Sequence, residues 1–168
     1  MKQSGANAKA RFIEIWGEMG RQWGINKTMA QIHALLMASE KPLSTDDVMA
    51  ELEISRGNAN MNLRGLVDWG LVRRVVRKGD RKEYFASDKD VWKTFCTVAR
   101  ERKKREIEPL ISALEECRAI ARTSGESPVF RDQLTALLEF VKTADLLLGK
   151  IAREEKSKII PLLVKLLG

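Results

Sequence analysis

A mainly helical fold with one small β-hairpin is what the sequence predicts, on three observations. Apolar residues recur at helical spacing through most of the 168 residues. Only 4 Pro and 11 Gly interrupt them. The exception lies near residues 71–86, where two short β-branched or aromatic runs flank a Gly-Asp turn. At 19.0 kDa the chain is one domain, or one domain with a helical extension, and large enough for a real core. With 44% hydrophobic and 32% charged residues it reads as a soluble globular chain, and its apolar runs are far too short to span a bilayer.

Taken in order, residues 7–22 place Ala10, Phe12, Ile13, Ile15, Trp16 and Met19 on a first helix ending near Gly24. Asn26 caps a second, residues 27–39, with Met29, Ile32, Leu35 and Leu36 in period, and Lys41-Pro42 stops it. Ser44 or Thr45, followed by acid at Asp46 and Asp47, opens a short third helix carrying Val48, Met49 and Leu52. After a tight connection at Glu53-Ile54, Ser55 caps a fourth helix that runs to Trp69 and ends at Gly70. Its Ala59, Leu63, Leu66 and Val67 form a face that can be buried, while Arg56, Asn60 and Arg64 form a separate stripe. Residues 71–77 and 82–86 are the strands of the hairpin, joined by Lys78-Gly79-Asp80-Arg81. A long helical stretch runs from Asp90 to about Thr123 and should be kinked or split by Pro109. Its Ile107, Leu110, Leu114, Cys117 and Ala121 make a coiled-coil-like seam. Ser127-Pro128 opens a further amphipathic helix with Phe130, Leu134, Leu137, Leu138, Val141 and Leu148, and a last apolar run at 159–167 is interrupted by Pro161.

Enzymatic chemistry finds little to work with. The single histidine, His33, lies among Ile32, Leu35 and Leu36 and reads as a core or core-edge residue, so triad and metal-histidine mechanisms are disfavoured. No Gly-rich phosphate loop follows a strand. Cys96 and Cys117 offer no zinc-ligand spacing, and within a continuous helix their 21-residue separation is roughly 30 Å, too far for a bridge. No metal or cofactor is expected. The opening residues 1–7 lack an apolar region behind Lys2, which makes the cytoplasm the expected location.

The net charge of +7 is uneven. Residues 1–54 hold 6 Lys/Arg against 7 Asp/Glu, residues 55–89 hold 9 against 4, and residues 90–168 hold 15 against 12. A short basic segment in an otherwise balanced fold is the footprint of a polyanion site, because each neutralised phosphate releases condensed counterions. The same segment has the element order of a winged helix-turn-helix: helix, short helix, tight turn, longer helix, hairpin. The fourth helix then enters a major groove and the hairpin reaches a neighbouring minor groove. Ser55, Arg56, Gly57, Asn58, Asn60, Asn62 and Arg64 are the candidate DNA-binding residues of the helix, with Arg and Asn suited to guanine edges, amide readout or phosphates and Gly57 allowing close approach. Arg77, Lys78, Arg81 and Lys82 are those of the wing, where Arg suits a narrow minor groove. Asn62 also has a local structural reading, and Arg73 and Arg74 alternate across a strand, so that one can point away from DNA.

The string from Ser55 to Leu66, SRGNANMNLRGL, continued by DWGLV at 68–72 and KGDRKEYF at 78–85, resembles the GbsR-like branch of the MarR superfamily of transcriptional regulators. The likeness is specific over about residues 10–110 and architectural beyond. It implies a dimeric winged-helix regulator with Gly79-Asp80-Arg81 at the place of the wing motif, and members of the branch include repressors. The expected organisation is an N-terminal helix at 1–24 that helps dimerisation, a winged helix-turn-helix DNA-binding domain at 25–89 and a helical dimerisation region at 90–168. The expected function is a sequence-specific double-stranded DNA-binding regulator, a repressor acting as a homodimer. A winged-helix protein-interaction module without specific readout is the alternative. A small-molecule effector is a further candidate partner: Trp16, Trp23 and Trp92 flank the junction of the two regions and could wall a site for it, though core packing accounts for them more simply.

Overall fold

A computed structural model describes residues 2–153; the apolar run predicted at 159–167 lies outside the described residues. The chain forms two compact units, one up to Val91 and one from Trp92 onward. Helix α1 (Lys2–Gln22) lies in the first unit. It packs along α2 (Lys27–Ala38) as part of the first unit. The packing is close because small residues face each other: a Cβ added at Gly20 would lie 2.5 Å from the Cβ of Ala30, and one at Gly17 2.5 Å from Cγ of Gln31. Gly24, at φ 75°, reverses the chain after α1, with Ile25 N–H donating to the Gly20 carbonyl at 2.8 Å. Asn26 then caps α2 through its side chain, as its position predicts.

Helix α3 (Thr45–Leu52) begins in a capping box: Ser44 Oγ accepts from Asp47 N–H, and the Asp47 carboxylate accepts from Ser44 N–H at 2.8 Å. It ends on Glu53, which adopts the left-handed conformation at φ 52° normally left to glycine. Helix α4 (Arg56–Asp68) is capped by Ser55 and closed by Gly70 at φ 71°, where Leu71 N–H donates to Leu66 O and Gly70 N–H to Val67 O. These two bonds make a Schellman ending. The hairpin strands are β2 (Val72–Val75) and β3 (Tyr84–Ser87), paired antiparallel with Val72 opposite Ser87 and Val75 opposite Tyr84. A third strand, β1 (Leu43–Ser44), adds to the other edge of β3 in the order β1-β3-β2. At two residues it is too short to show a period, so the expected hairpin is in fact part of a three-stranded sheet.

The core of this unit draws on every element: Ile13 from α1; Ile32, Leu35 and Leu36 from α2; Val48 from α3; Ala59, Leu63 and Leu66 from α4; Val72, Tyr84 and Phe85 from the sheet. His33 is buried among them, its ring 6.3 Å from that of Trp16. Burial without a partner for Nε2 holds its pKa down at about 4, so it is neutral at pH 7.

In the second unit, α5 (Val91–Arg102) passes into a widened turn at Lys103–Ile107 and then into α6 (Glu108–Ala121). Pro109 explains the break. It has no N–H to give and its ring crowds the preceding turn, and just before it the Glu108 N–H bonds five residues back to Lys103 O. Helix α7 (Pro128–Arg153) packs on α6, burying Leu134, Leu138 and Val141. Lys103 pairs with Asp145 at 2.9 Å and Glu108 at 3.0 Å, tying the widened turn to both helices. Cys96 is buried and Cys117 exposed, and neither forms a disulfide among the described residues.

Candidate nucleic-acid interface

Helix α3, the turn at 53–55 and helix α4 form a helix-turn-helix, and β2, β3 and the loop between them form the wing beside it. Around α4 the residues divide by face. Ala59, Asn62, Leu63 and Leu66 are buried, whereas Arg56, Gly57, Met61 and Arg64 are exposed. A Cβ built on Gly57 meets nothing within 4 Å, so this surface is open to an approaching backbone.

The structure separates the predicted residues into three groups. Arg64 on α4 and Lys78 and Arg81 at the wing tip are exposed, and the described residues give them no ion pair. Arg56 and Lys82 are exposed but share one carboxylate: Asp46 accepts from Arg56 at 2.6 Å and from Lys82 at 3.0 Å. Both cations hold that carboxyl below its ordinary range, Lys82 contributing most. The third group is structural. Ser55 caps α4 by accepting from Asn58 N–H at 3.3 Å. The Asn60 amide oxygen stands 3.5 Å from Thr45 Oγ1, across to α3.

Asn62 corrects the expectation. Expected among the outward readers, it is only 4% exposed, and its Nδ2 donates to the Asn58 carbonyl at 2.9 Å and to Asn58 Oδ1 at 2.7 Å. The spacing contains the reason: Asn62 lies three residues after Ala59 and four before Leu66, on the buried face. Asn58 is half-buried and engaged as its acceptor; Asn60 has the spacing of Arg56 and Arg64 but is half-buried as well, against Thr45.

The wing loop is shaped by its own contacts. Gly79 turns it at φ 85°, and Asp80 accepts from the Tyr84 hydroxyl at 2.6 Å and from Lys82 N–H at 2.9 Å. These bonds hold the Asp80 carboxyl below its usual range, the Tyr84 hydroxyl being the largest cause. The Arg77 guanidinium lies 3.9 Å over the Tyr84 ring and donates to the Pro42 carbonyl at 3.1 Å, which fixes the base of the wing to the chain before α3. Arg73 and Arg74 are both exposed, Arg74 pairing with Glu83 at 3.3 Å across the hairpin. The bridging roles of Asp46 and Pro42 escaped the sequence reading, since their partners lie 10 to 36 residues away in sequence and no local period marks them.

A helical core with a helix-turn-helix and a wing on a small antiparallel sheet defines the winged helix-turn-helix class. Residues 23–83 match the model of the MarR family. Among curated proteins the chain is 24% identical over 112 residues to the HTH-type transcriptional repressor GbsR of Bacillus subtilis (strain 168), a match covering 67% of this chain and 62% of the relative. It is 21% identical over 92 residues to the HTH-type transcriptional repressor OpcR of the same strain, covering 55% of this chain and 50% of that one. The matched stretches thus span about half to three-fifths of these relatives. The fold is shared with a solved structure described as a transcriptional regulator, at a TM-score of 0.71 and 19% identity over 89% of this chain and 99% of the other. No described helix is long and apolar enough to cross a membrane.

Proposed function

We propose that this protein is a sequence-specific double-stranded DNA-binding transcriptional regulator, a repressor that acts as a homodimer. The observation that carries the reading is the exposure of cations on two adjoining elements: Arg56 and Arg64 along α4, with Lys78, Arg81 and Lys82 on the wing, Arg56 and Lys82 meeting at Asp46. In this reading α4 lies in the major groove, where Arg64 meets a guanine edge or a phosphate, and the wing lies along the backbone with Arg81 at the minor groove. Asn62 and Asn58 take no part in readout; they hold the first turns of α4 in shape. The similarity to two repressors supports the sign of regulation.

A single winged helix offers little contact for tight binding, and operators are commonly read by symmetric dimers with half-sites about 34 Å apart or a multiple of it. The second unit supports a dimer by what it leaves open. Phe140 is 70% and Leu147 57% exposed, and with Leu137 and Ala144 they step along α7 at intervals of 3, 4 and 3. This second seam runs beside the one that α6 covers, and a second copy of the helices could bury it.

A labelled duplex from upstream of the protein's own gene, titrated across salt concentrations against a random duplex, tests the reading. Specific binding requires tighter affinity for the upstream duplex and a steep negative salt slope, with Lys78→Ala weakening both duplexes alike and reducing that slope by about 1. Equal affinity for both duplexes would favour non-specific binding, and no binding at low salt would favour a protein-interaction module.

A further inference from the structure

Asp46 is the second residue of α3, behind the Ser44 cap. Its neighbour Asp47 is committed to the capping box. The Asp46 carboxylate instead leaves its own helix: Oδ1 accepts from Nη2 of Arg56, the first residue of α4, and Oδ2 from Nζ of Lys82, where the wing returns to β3. One side chain thus ties together the three parts of the candidate interface. All three partners are open to water, with side-chain exposures of 63% for Arg56, 58% for Lys82 and 44% for Asp46. Ion pairs so exposed add little to stability, so folding does not account for the arrangement. Its shape is that of a bound phosphate: two anionic oxygens held between a guanidinium and an ammonium.

We propose that Asp46 is a specificity-determining residue, an internal stand-in for a DNA phosphate that keeps Arg56 and Lys82 closed to backbone that does not also satisfy α4. This rests on the DNA-binding reading above. A random duplex offers these two cations only its phosphates, and taking them means breaking two charge-assisted bonds to Asp46 for two similar bonds to DNA. The exchange gains little and releases few additional counterions. An operator in register adds base contacts from the same helix, and these contacts supply the difference that opens the bridge. Asp46 therefore lowers non-specific affinity more than specific affinity.

Asp46→Asn removes the anion and leaves the shape and the helix start, and thermal unfolding checks that the fold is kept. The expected result is tighter binding to a random duplex, with a salt slope steeper by up to about 1.8 for two freed cations. The affinity lost between about 50 and 200 mM salt then grows by roughly tenfold. The ratio of upstream to random affinity falls. Lys82→Gln provides the second reading: it weakens random-duplex binding more in the Asp46→Asn background than in the wild type. Random-duplex affinity and slope unchanged in Asp46→Asn, or affinity lowered, would overturn the proposal while leaving the DNA-binding reading intact. Absence of duplex binding by both proteins at low salt would remove the DNA-binding reading and this inference with it.

Discussion

Asn62 and Arg64 stand two residues apart in sequence and about 200° apart around α4, and that angle decides their roles. Arg64 is exposed; Asn62 is buried and spends its amide on Asn58. Residue type alone suggested readout for both, because Asn is a poor helix former without a polar partner. The partner proves to be inside the same helix. The spacing to Ala59 and Leu66 held this information; the position of Asp46 between Arg56 and Lys82 was not so encoded, because only the folded chain brings them together. His33 was legible from its apolar neighbours, and its burial has a measurable consequence. In the unfolded chain the imidazole takes up a proton near pH 6.5, in the folded chain only at about 4. Above pH 6.5 both states are neutral. Between these values the unfolded chain binds the proton first, so stability falls as pH falls. Denaturant titrations of the wild type should lose about 2 kcal/mol between pH 7 and pH 5. His33→Leu should flatten this window, which lies above the range where the paired carboxylates Asp46, Asp47 and Asp80, all with lowered pKa, are protonated.

At the scale of elements, the helices were legible because their ends carry chemistry as well as period. Asn26, Ser44 and Ser55 cap as their positions predict, Gly70 ends α4, and Pro109 breaks the long helix through a widened turn. The exception is Glu53, which ends α3 in a conformation that sequence reading assigns to glycine. The strand β1 was hidden because two residues carry no period. How α1 sits was hidden as well, since it depends on matching Gly17 and Gly20 with Gln31 and Ala30 across the helix pair. Gly20→Ala should therefore destabilise the first unit by about 1–3 kcal/mol in chemical denaturation, despite the better helix propensity of alanine, because the new methyl would overlap Ala30. Unchanged stability would mean that the two helices can separate without cost.

For the whole molecule, the basic segment pointed to a polyanion partner only together with the element order around it, and the proposed dimer is argued from exposed surface. Light scattering at micromolar concentration should give a mass twice the 19.0 kDa of one chain, and Phe140→Asp should return it toward a single copy by placing a charge on the open seam of α7. A single-chain mass for the wild type would remove the symmetric operator from the account. The central claim remains that the exposed side of α4 reads base edges. The most direct measurement is the ratio of affinities for the upstream and random duplexes, compared between the wild type and Arg64→Ala in one buffer. The ratio should shrink by an amount equivalent to about 1–3 kcal/mol, with the fold unchanged by circular dichroism. An undiminished ratio would place sequence recognition elsewhere on the molecule.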